Sequence, residues 1–436
     1  MNTVVFFVIQ GLMLVFFLFR GKKYSNFVYL LPIINIITDA FTFSASGAGS
    51  VFAIWRGVIQ YGFFAIVMFR KPQIHSVSKV IFILIGYWLV LVVLSSEIAT
   101  SFRIYTAVCL SLVMFPVGYN CISTFDDLKK LHNSLMVVLI IFGGYAVLSN
   151  FLEVGYTQYM HGSRDVIGVG WADAQLYCAP FILVLYPLMA EIGIKRKKLV
   201  NALLLCTFLL LLISLRRSAV GIAMLGYVLL FYQTGQLKSL AKYIVPVVVV
   251  AGALFLIFRE PIMERVALRE DKFSSSYDVS EEKRYLETIL VWTDLANAES
   301  LTTSVFGTEL FNSRGNYGDG ALGTRVIHID YNLILHGSGV LGLILYIGIY
   351  ILLLWEAKRI QAKLVIAGLM KDKRVKLLQK MIVTFTIMSF VIGFSGQLAT
   401  PTFRVITFLY LGAAFSILKN MLNNSLNGQK ETSLVR

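Results

Sequence analysis

The sequence has few charged residues for its length. Only 14% of its 436 residues are Asp, Glu, Lys or Arg, whereas 57% are hydrophobic and the mean hydropathy is +0.75. A soluble domain is about one quarter charged. The chain therefore has too little polar surface for an ordinary cytosolic enzyme, a disordered tail or a disulfide-stapled secreted module. Its four cysteines have no paired spacing and lie in apolar runs, which is typical of small buried hydrophobic residues. They are Cys109, Cys121, Cys178 and Cys206.

Several chemical motifs are also missing. No Gly-x-x-x-x-Gly-Lys-Ser/Thr loop is present, so ATP-driven transport has no support. No His-Glu-x-x-His or Cys-x-x-Cys pair indicates zinc, and no acidic segment has the EF-hand pattern. The sequence therefore predicts neither a metal nor another cofactor. Its net charge of +15 favours cytoplasmic loops that face anionic lipid over nucleic-acid binding.

Long apolar runs dominate the sequence instead. A membrane-spanning helix needs roughly 20 mostly apolar residues. By this criterion we predict an all-α polytopic membrane protein with about 13 transmembrane helices and one large extracytoplasmic loop of partly helical structure. The predicted spans are 3–19, 27–43, 51–69, 80–96, 103–122, 134–152, 173–194, 199–215, 218–234, 243–258, 333–355, 381–399 and 403–419.

The basic residues predict the orientation. If the segment after the first span is inside, 25 Lys and Arg residues lie in inner segments and five lie in the short outer segments. This bias places the N terminus outside and the C terminus inside. The five outer arginines are Arg103, Arg164, Arg216, Arg217 and Arg404.

The chain is predicted to have three parts. Residues 1–258 form a membrane domain with spans one to ten, and residues 259–327 form the large extracytoplasmic (periplasmic) loop. Residues 328–436 contain spans eleven to thirteen and a cytoplasmic tail. Within the loop, residues 280–297 have an amphipathic helical pattern and residues 312–323 are rich in Gly and Asn, which favours turns.

Arg216 and Arg217 lie in the predicted outer hairpin between spans eight and nine. Two arginines in a tight outer turn are unusual under the positive-inside rule. The planar guanidinium binds phosphate oxygens in bidentate fashion, which suits a diphosphate head group. The alternative is a pair of interfacial anchors whose side chains reach the lipid headgroups.

His328 begins the segment in which the long loop returns to the membrane. An imidazole accepts a hydroxyl proton near neutral pH, so His328 is a candidate general base, with an ordinary interfacial histidine as the alternative. His336 lies about two helical turns further along and is expected to pack or to face a polar cavity.

Three further arginines are candidates. Arg164 and Arg284 lie in outer segments, where the alternatives are substrate binding and simple solvation. Arg56 lies inside the third span, where an intramembrane charge faces a cavity or a partner. Asp39 has a similar predicted depth, so an Arg56–Asp39 ion pair is slightly favoured.

Four segments of the sequence have a recognisable order. Two precede the long loop: Arg164-x-x-x-Gly168 followed by Ala179-Pro180 and Tyr186-Pro187-Leu188, and Ile213-Ser214-Leu215-Arg216-Arg217-Ser218. Arg284…Trp292…Phe306-Gly307 lies within the long loop, and His328-x-x-Tyr331…Leu335…Gly339-x-x-Gly342 follows it. Together they resemble the motifs of the bacterial O-antigen polymerase and ligase superfamily (Wzy/WaaL type). The resemblance covers residues 160–350.

The sequence departs from the pattern of that family at two places. Ile329 replaces the common Asn after the histidine, and Leu215-Arg216 replaces the family's Ser-Arg. Which of Arg216 and Arg217 corresponds to the family's arginine therefore stays open.

The resemblance implies an inverting, metal-independent glycosyltransferase at the outer face of the bacterial inner membrane. The donor would be an undecaprenyl-diphosphate-linked oligosaccharide, and the acceptor a glycan or the lipid A core. Arg216 or Arg217, with Arg284 and Arg164, would hold the diphosphate, and His328 would deprotonate the acceptor hydroxyl. Arg56, His336 and Tyr331 would line a possible cavity. A chain-length regulator is a further candidate partner.

Three functions remain open at this level. We favour an O-antigen (surface-polysaccharide) polymerase, because the His and Arg motifs differ from the ligase consensus. An O-antigen ligase is the second candidate. A lipid-linked glycan flippase also needs a cationic cavity, but it should place charges in both halves of the spans and show a repeat. We find no repeat, and the unexplained charges lie at the outer ends.

Overall fold

The structure is a computed structural model. It describes residues 8–12, 24–44, 51–70, 72–151, 176–193, 196–213, 217–235, 283–298, 300–396 and 398–434, with the single residues 252, 256, 259 and 263. Over these residues the structure is 86% helical and has no strand. The predicted all-α class is therefore confirmed for the part of the chain that is described.

The described part contains fifteen α-helices. They are α1 Leu31–Ser44, α2 Val51–Arg70, α3 Ser76–Leu94, α4 Ile98–Leu112, α5 Met114–Cys121, α6 Phe125–Phe151, α7 Cys178–Val184, α8 Tyr186–Ile192, α9 Lys197–Ile213, α10 Arg217–Thr234, α11 Lys283–Ala296, α12 Leu301–Phe306, α13 Asp330–Ile366, α14 Lys373–Ile392 and α15 Pro401–Leu434. The helix expected at 280–297 is thus present as α11, and residues after α12 form the expected turns.

Within the described ranges, six helical segments are long and apolar enough to cross a membrane. They are Val51–Arg70, Ser76–Leu94, Ile98–Cys121, Asp330–Ile366, Lys373–Ser395 and Pro401–Asn427. These segments overlap the predicted spans 51–69, 80–96, 103–122, 333–355, 381–399 and 403–419. The total of thirteen spans is not confirmed.

The other predicted spans have different outcomes. The span at 134–152 falls on α6, which begins earlier, at Phe125. The span at 173–194 is divided between α7 and α8. Predicted spans 3–19 and 243–258 lie largely outside the described residues.

A proline explains the division between α7 and α8. Pro187 has no backbone N–H, so it leaves the carbonyl of Leu183 without its helical donor. The hydroxyl of Tyr227 in α10 donates to that carbonyl at 3.0 Å. A helix break inside an apolar bundle is tolerated when a neighbouring helix supplies such a bond.

The last helix, α15, is the centre of the bundle. Its most apolar window is 78% buried, whereas that of α2 is only 28% buried. The backbone of α15 approaches α5 closely, because a side chain on Gly118 would meet the Leu409 carbonyl and one on Gly412 would meet the Phe115 carbonyl. Large apolar side chains on α2, such as Phe69 at 89% exposure, are left for contact with lipid.

Helix α13 is kinked at Gly339, which has φ 62° and ψ −168°. The kink releases the carbonyl of Ser338, which accepts a hydrogen bond from the Tyr87 hydroxyl at 2.8 Å. The long loop packs into this kink, since a Cβ on Gly339 would lie 2.2 Å from the Val305 carbonyl oxygen. Gly337 and Gly339 therefore permit the close approach of the loop backbone to α13.

The bundle has two ends, which we name by their content. The loop end contains Ser95, Glu97, α11, α12 and the first residues of α13. The basic end contains His75 and residues 356–373. The basic-residue pattern predicts that the loop end faces outward.

One expectation about cysteine is wrong. Cys109, Cys121 and Cys178 are buried, but Cys206 is exposed on α9. The residues around Cys206 in α9 are apolar. An apolar run in the sequence therefore does not distinguish an exposed position on the bundle from a buried one.

Candidate functional site

Glu309 anchors the long loop (residues 259–327) to Ser95, Ser96 and Glu97 at the loop end of the bundle. Its carboxylate accepts hydrogen bonds from the hydroxyls of Ser95 and Ser96 and from the backbone N–H of Glu97, at 3.0, 2.7 and 3.0 Å. Burial alone would raise the pKa of Glu309, but these hydrogen bonds outweigh burial and lower the pKa to about 2. The loop is therefore held by an ionised carboxylate at neutral pH.

His328 lies where this loop re-enters the bundle. Its Nδ1 is 2.7 Å from the carbonyl oxygen of Val326. A carbonyl can only accept, so Nδ1 carries the proton and the neutral ring has its lone pair on Nε2. The side chain is 39% exposed. The arrangement thus provides an accessible basic nitrogen of defined tautomer.

Glu287 of α11 supports His328 from the buried side. Its Oε1 accepts the backbone N–H groups of His328 at 2.7 Å and Ile329 at 3.0 Å. Its Oε2 lies 3.5 Å from the His328 Nδ1. Burial raises the pKa of Glu287, but the bonds from His328 and Ile329 outweigh that and lower it. The buried carboxylate therefore holds the backbone of His328 and lies against its ring.

Sequence analysis missed Glu287. It lies on the buried face of α11 with Val291, and its side chain is fully buried. A glutamate at an apolar position of an amphipathic pattern was the available signal, because buried carboxylates are almost always paired.

Two arginines lie beside this pair. Arg325 has its Nε 3.5 Å from Glu287 Oε2, and its side chain is 24% exposed. Arg284 precedes Glu287 by three residues in α11, so the two side chains are neighbours on the helix surface; Arg284 is exposed. Arg325 and Arg284 thus place positive charge beside Glu287. Arg325 was not among the predicted site residues.

The opposite face of α11 is apolar and exposed. Tyr285, Ile289 and Trp292 follow one another at helical spacing and are 48%, 42% and 51% exposed. Such a stripe suits a lipid interface or a sugar ring.

The other predicted arginines of the site are Arg164, Arg216 and Arg217. Arg164 and Arg216 lie outside the described residues. Arg217 is exposed at the first residue of α10, whose main packing partners are α7 and α14. Arg217 therefore starts a helix that does not pack mainly against α11, which carries Glu287.

His336 and Tyr331 have structural contacts. The Nε2 of His336 is 3.1 Å from the Asn316 side-chain oxygen, and its carbonyl accepts the Thr308 N–H at 2.8 Å. His336 therefore helps to hold the loop in the kink. The Tyr331 hydroxyl donates to the Phe390 carbonyl, and its ring packs on Phe394 at 4.8 Å. Both side chains are buried.

Arg56 forms the ion pair that the sequence favoured. Its Nη1 lies 2.5 Å from Asp39 Oδ1, and the two side chains are 8% and 5% exposed. The Thr402 hydroxyl donates to the other Asp39 oxygen. The group joins α1, α2 and the first turn of α15, which is a packing role.

Arg404 was expected in a short outer segment; its pairing with Asp330 places it at the loop end, but it is buried there rather than exposed. It lies in α15, is 2% exposed and pairs with Asp330, the first residue of α13. It also donates to the hydroxyls of Tyr346 at 3.1 Å and Tyr350 at 3.4 Å. An arginine close to a predicted helix end looks interfacial, and only the tertiary fold brings Asp330 to it.

Across the described ranges, no group of three His, Cys, Asp or Glu side chains could hold a metal ion. His328 is the candidate base of this site. Glu287 places a carboxylate beside it, and the neighbouring arginines add positive charge. Comparison with known proteins adds no relative, since the chain matches no protein-family model and no curated protein.

Proposed function

We propose that this protein is a membrane glycosyltransferase that polymerises a surface polysaccharide of the O-antigen type. The donor is an undecaprenyl-diphosphate-linked oligosaccharide, and the acceptor is a sugar hydroxyl of a second glycan. The reaction takes place at the loop end, on the outer (periplasmic) face of the inner membrane. Support comes from the apolar helices, from the order of the four sequence motifs and from the geometry around His328.

The observation that carries the proposal is the state of the His328 ring. With Nδ1 committed to the Val326 carbonyl at 2.7 Å, Nε2 has the lone pair, and the ring is partly exposed. A general base needs a free lone pair and access to the acceptor hydroxyl. A merely structural histidine needs neither.

The chemistry is a displacement with inversion. The acceptor hydroxyl oxygen attacks the anomeric carbon of the donor, and the bond from that carbon to the diphosphate oxygen breaks. The electron pair leaves with the undecaprenyl diphosphate, and the hydroxyl proton passes to Nε2 of His328. Glu287 stabilises the resulting imidazolium, since its Oε2 is 3.5 Å from Nδ1.

Cations lower the energy of the charge that develops on the departing diphosphate. Arg284 and Arg325 are the described cations beside His328. Arg164, Arg216 and Arg217 are further candidates from the motif order. Trp292 and Tyr285 offer exposed aromatic faces on which sugar rings can stack.

The decisive experiment is an assay of purified protein with a lipid-diphosphate-linked repeat unit, in chelator and without ATP. A ladder of lengthening glycans on a gel is the expected result. Transfer that appears only after lipid A core is added would replace the polymerase by a ligase. Binding of the substrate without any product would contradict the enzyme proposal and favour a transporter.

The role of the arginine pair has a direct test. Arg216→Ala with Arg217→Ala should abolish the ladder, because the diphosphate loses its guanidinium donors. Lys197→Ala with Lys198→Ala removes the same charge from the other end of α9 and should leave the ladder intact. A full ladder from a folded Arg216/Arg217 double variant would remove both arginines from the mechanism.

A further inference from the structure

A cavity of about 360 Å³ opens at the basic end, far along α13 from His328. It lies between the start of α3, the end of α5 and the corresponding parts of α13 and α15. The mechanism proposed above does not use it. Its cationic lining residues are Arg359, Lys363 and Lys419.

These three cations are available for a ligand. Lys363 and Lys419 are exposed, and within the described chain neither forms an ion pair. Lys419 donates to the Tyr119 hydroxyl at 2.8 Å, which uses one of the three N–H bonds of the ammonium group. Arg359 is 51% exposed and has five N–H donors, of which the Glu356 contact at 2.9 Å uses Nη2.

The remaining titratable groups of the cavity leave its charge positive. Glu356 is buried, with one oxygen on the Ser76 hydroxyl at 2.7 Å and the other on Arg359. Burial lowers the pKa of His75 to about 4, although Glu356 opposes this shift, so the ring is neutral at pH 7. Three cations therefore face one carboxylate that already has partners.

The cavity lies along α13 at the depth expected for the lipid headgroups. Arg359 lies about 30 Å beyond the kink at Gly339, since each helical residue rises about 1.5 Å. That distance is about the thickness of the hydrocarbon core. Trp355 is 55% exposed, and the Arg359 guanidinium lies 5.3 Å from the centre of its ring. Tryptophan at such a level is typical of the membrane interface.

An apolar track leads along α13 to this point. Ile344, Ile351 and Trp355 follow at intervals of seven and four residues, which places them on one face together with Arg359. The two isoleucines are 61% and 63% exposed. This apolar face of α13 suits an acyl chain. The face ends at the cations Arg359, Lys363 and Lys419.

We propose that this cavity binds the phosphate headgroup of an anionic membrane lipid, with Arg359, Lys363 and Lys419 as the donors. The acyl chains lie along Ile351 and Trp355. Basic pockets between transmembrane helices at the cytoplasmic side are suited to such headgroups. The proposal is independent of glycosyl transfer at the loop end.

The test uses the purified full chain in detergent, titrated with phosphatidylglycerol or phosphatidylcholine and followed by native mass spectrometry. The wild type should retain phosphatidylglycerol in preference to phosphatidylcholine. Lys363→Gln with Lys419→Gln should weaken phosphatidylglycerol binding about tenfold, because two surface cations are lost. Lys363→Gln alone changes only an exposed side chain and should give part of this loss.

The control is Lys371→Gln with Lys376→Gln, which removes the same charge from exposed positions at the basic end outside the cavity. This variant should bind phosphatidylglycerol as the wild type does. Equal weakening in both double variants would overturn the proposal in favour of general surface attraction. Displacement of the lipid by millimolar inorganic phosphate would also overturn it, because the site would then be one for free phosphate.

Discussion

Two acid–base pairs lie next to each other at the loop end and differ in exposure. Asp330 and Arg404 are 1% and 2% exposed, so the pair is closed to solvent on both sides. Glu287 is also fully buried, but its partner His328 is 39% exposed. Only Ile329 separates His328 from Asp330 in the chain. The difference indicates that the first pair fixes the start of α13 and that the second leaves the imidazole ring of His328 partly exposed to solvent.

The largest expected effect on stability comes from the closed pair. Arg404→Met should destabilise the protein by about 3–5 kcal/mol, because Asp330 loses the guanidinium that neutralises it in a buried site. Thermal unfolding in detergent, followed by loss of helical circular dichroism, measures the change. Lys358→Met, at an exposed position on α13, is the control. Stability unchanged in Arg404→Met would mean that Asp330 tolerates burial without this partner.

The Glu287–His328 pair, whose ring is partly exposed, should affect turnover rather than stability. His328→Ala should reduce glycan synthesis about 100-fold or more, since the general base is lost. The melting temperature should change little, because the ring is partly exposed. Thr324→Ala, a nearby exposed position, serves as the control in the same gel assay. Near-native turnover in His328→Ala would leave this histidine with a structural role.

A smaller effect is expected from Glu287→Gln. The glutamine oxygen can still accept the backbone N–H groups of His328 and Ile329, so the fold should be retained. The charge that stabilises the imidazolium is lost, and we expect a decrease in turnover of about tenfold, equivalent to ~1.4 kcal/mol. Initial rates at saturating donor measure this decrease. Unchanged rates would show that Glu287 only orders the backbone.

The smallest effect concerns pH and a third carboxylate at the same end. Glu309 has a folded-state pKa of about 2, below the ~4.3 of an unperturbed glutamate. Its contribution to stability is therefore complete above about pH 5 and is lost as the pH falls towards 2. Unfolding curves across this window should show a steeper loss of stability for the wild type than for Glu309→Gln. Parallel curves would contradict an ionised Glu309 as the fastening of the loop.

Local patterns predicted a good part of the fold. Apolar run length located six helices that can cross a membrane, because a spanning helix must be both long and apolar. The amphipathic pattern at 280–297 located α11 within a few residues. The pairing of Arg56 with Asp39 followed from their similar depth in adjacent predicted spans.

The candidate site was predicted less completely. His328 was found because it begins a recognisable motif, whereas Glu287 is 41 residues away in the chain and meets it only in three dimensions. The buried pairing of Arg404 was not predicted for the same reason, since its partner Asp330 is separated from it by 74 residues. Sequence patterns report the environment along one helix, and these contacts join different helices.

The sequence by itself determined that this is a helical chain with apolar segments of spanning length, because hydrophobicity and helical periodicity are local properties. Only the tertiary structure decided which charged side chains are buried and which are exposed to solvent. Burial of a side chain depends on what packs over it, as the neighbouring pairs Asp330–Arg404 and Glu287–His328 demonstrate.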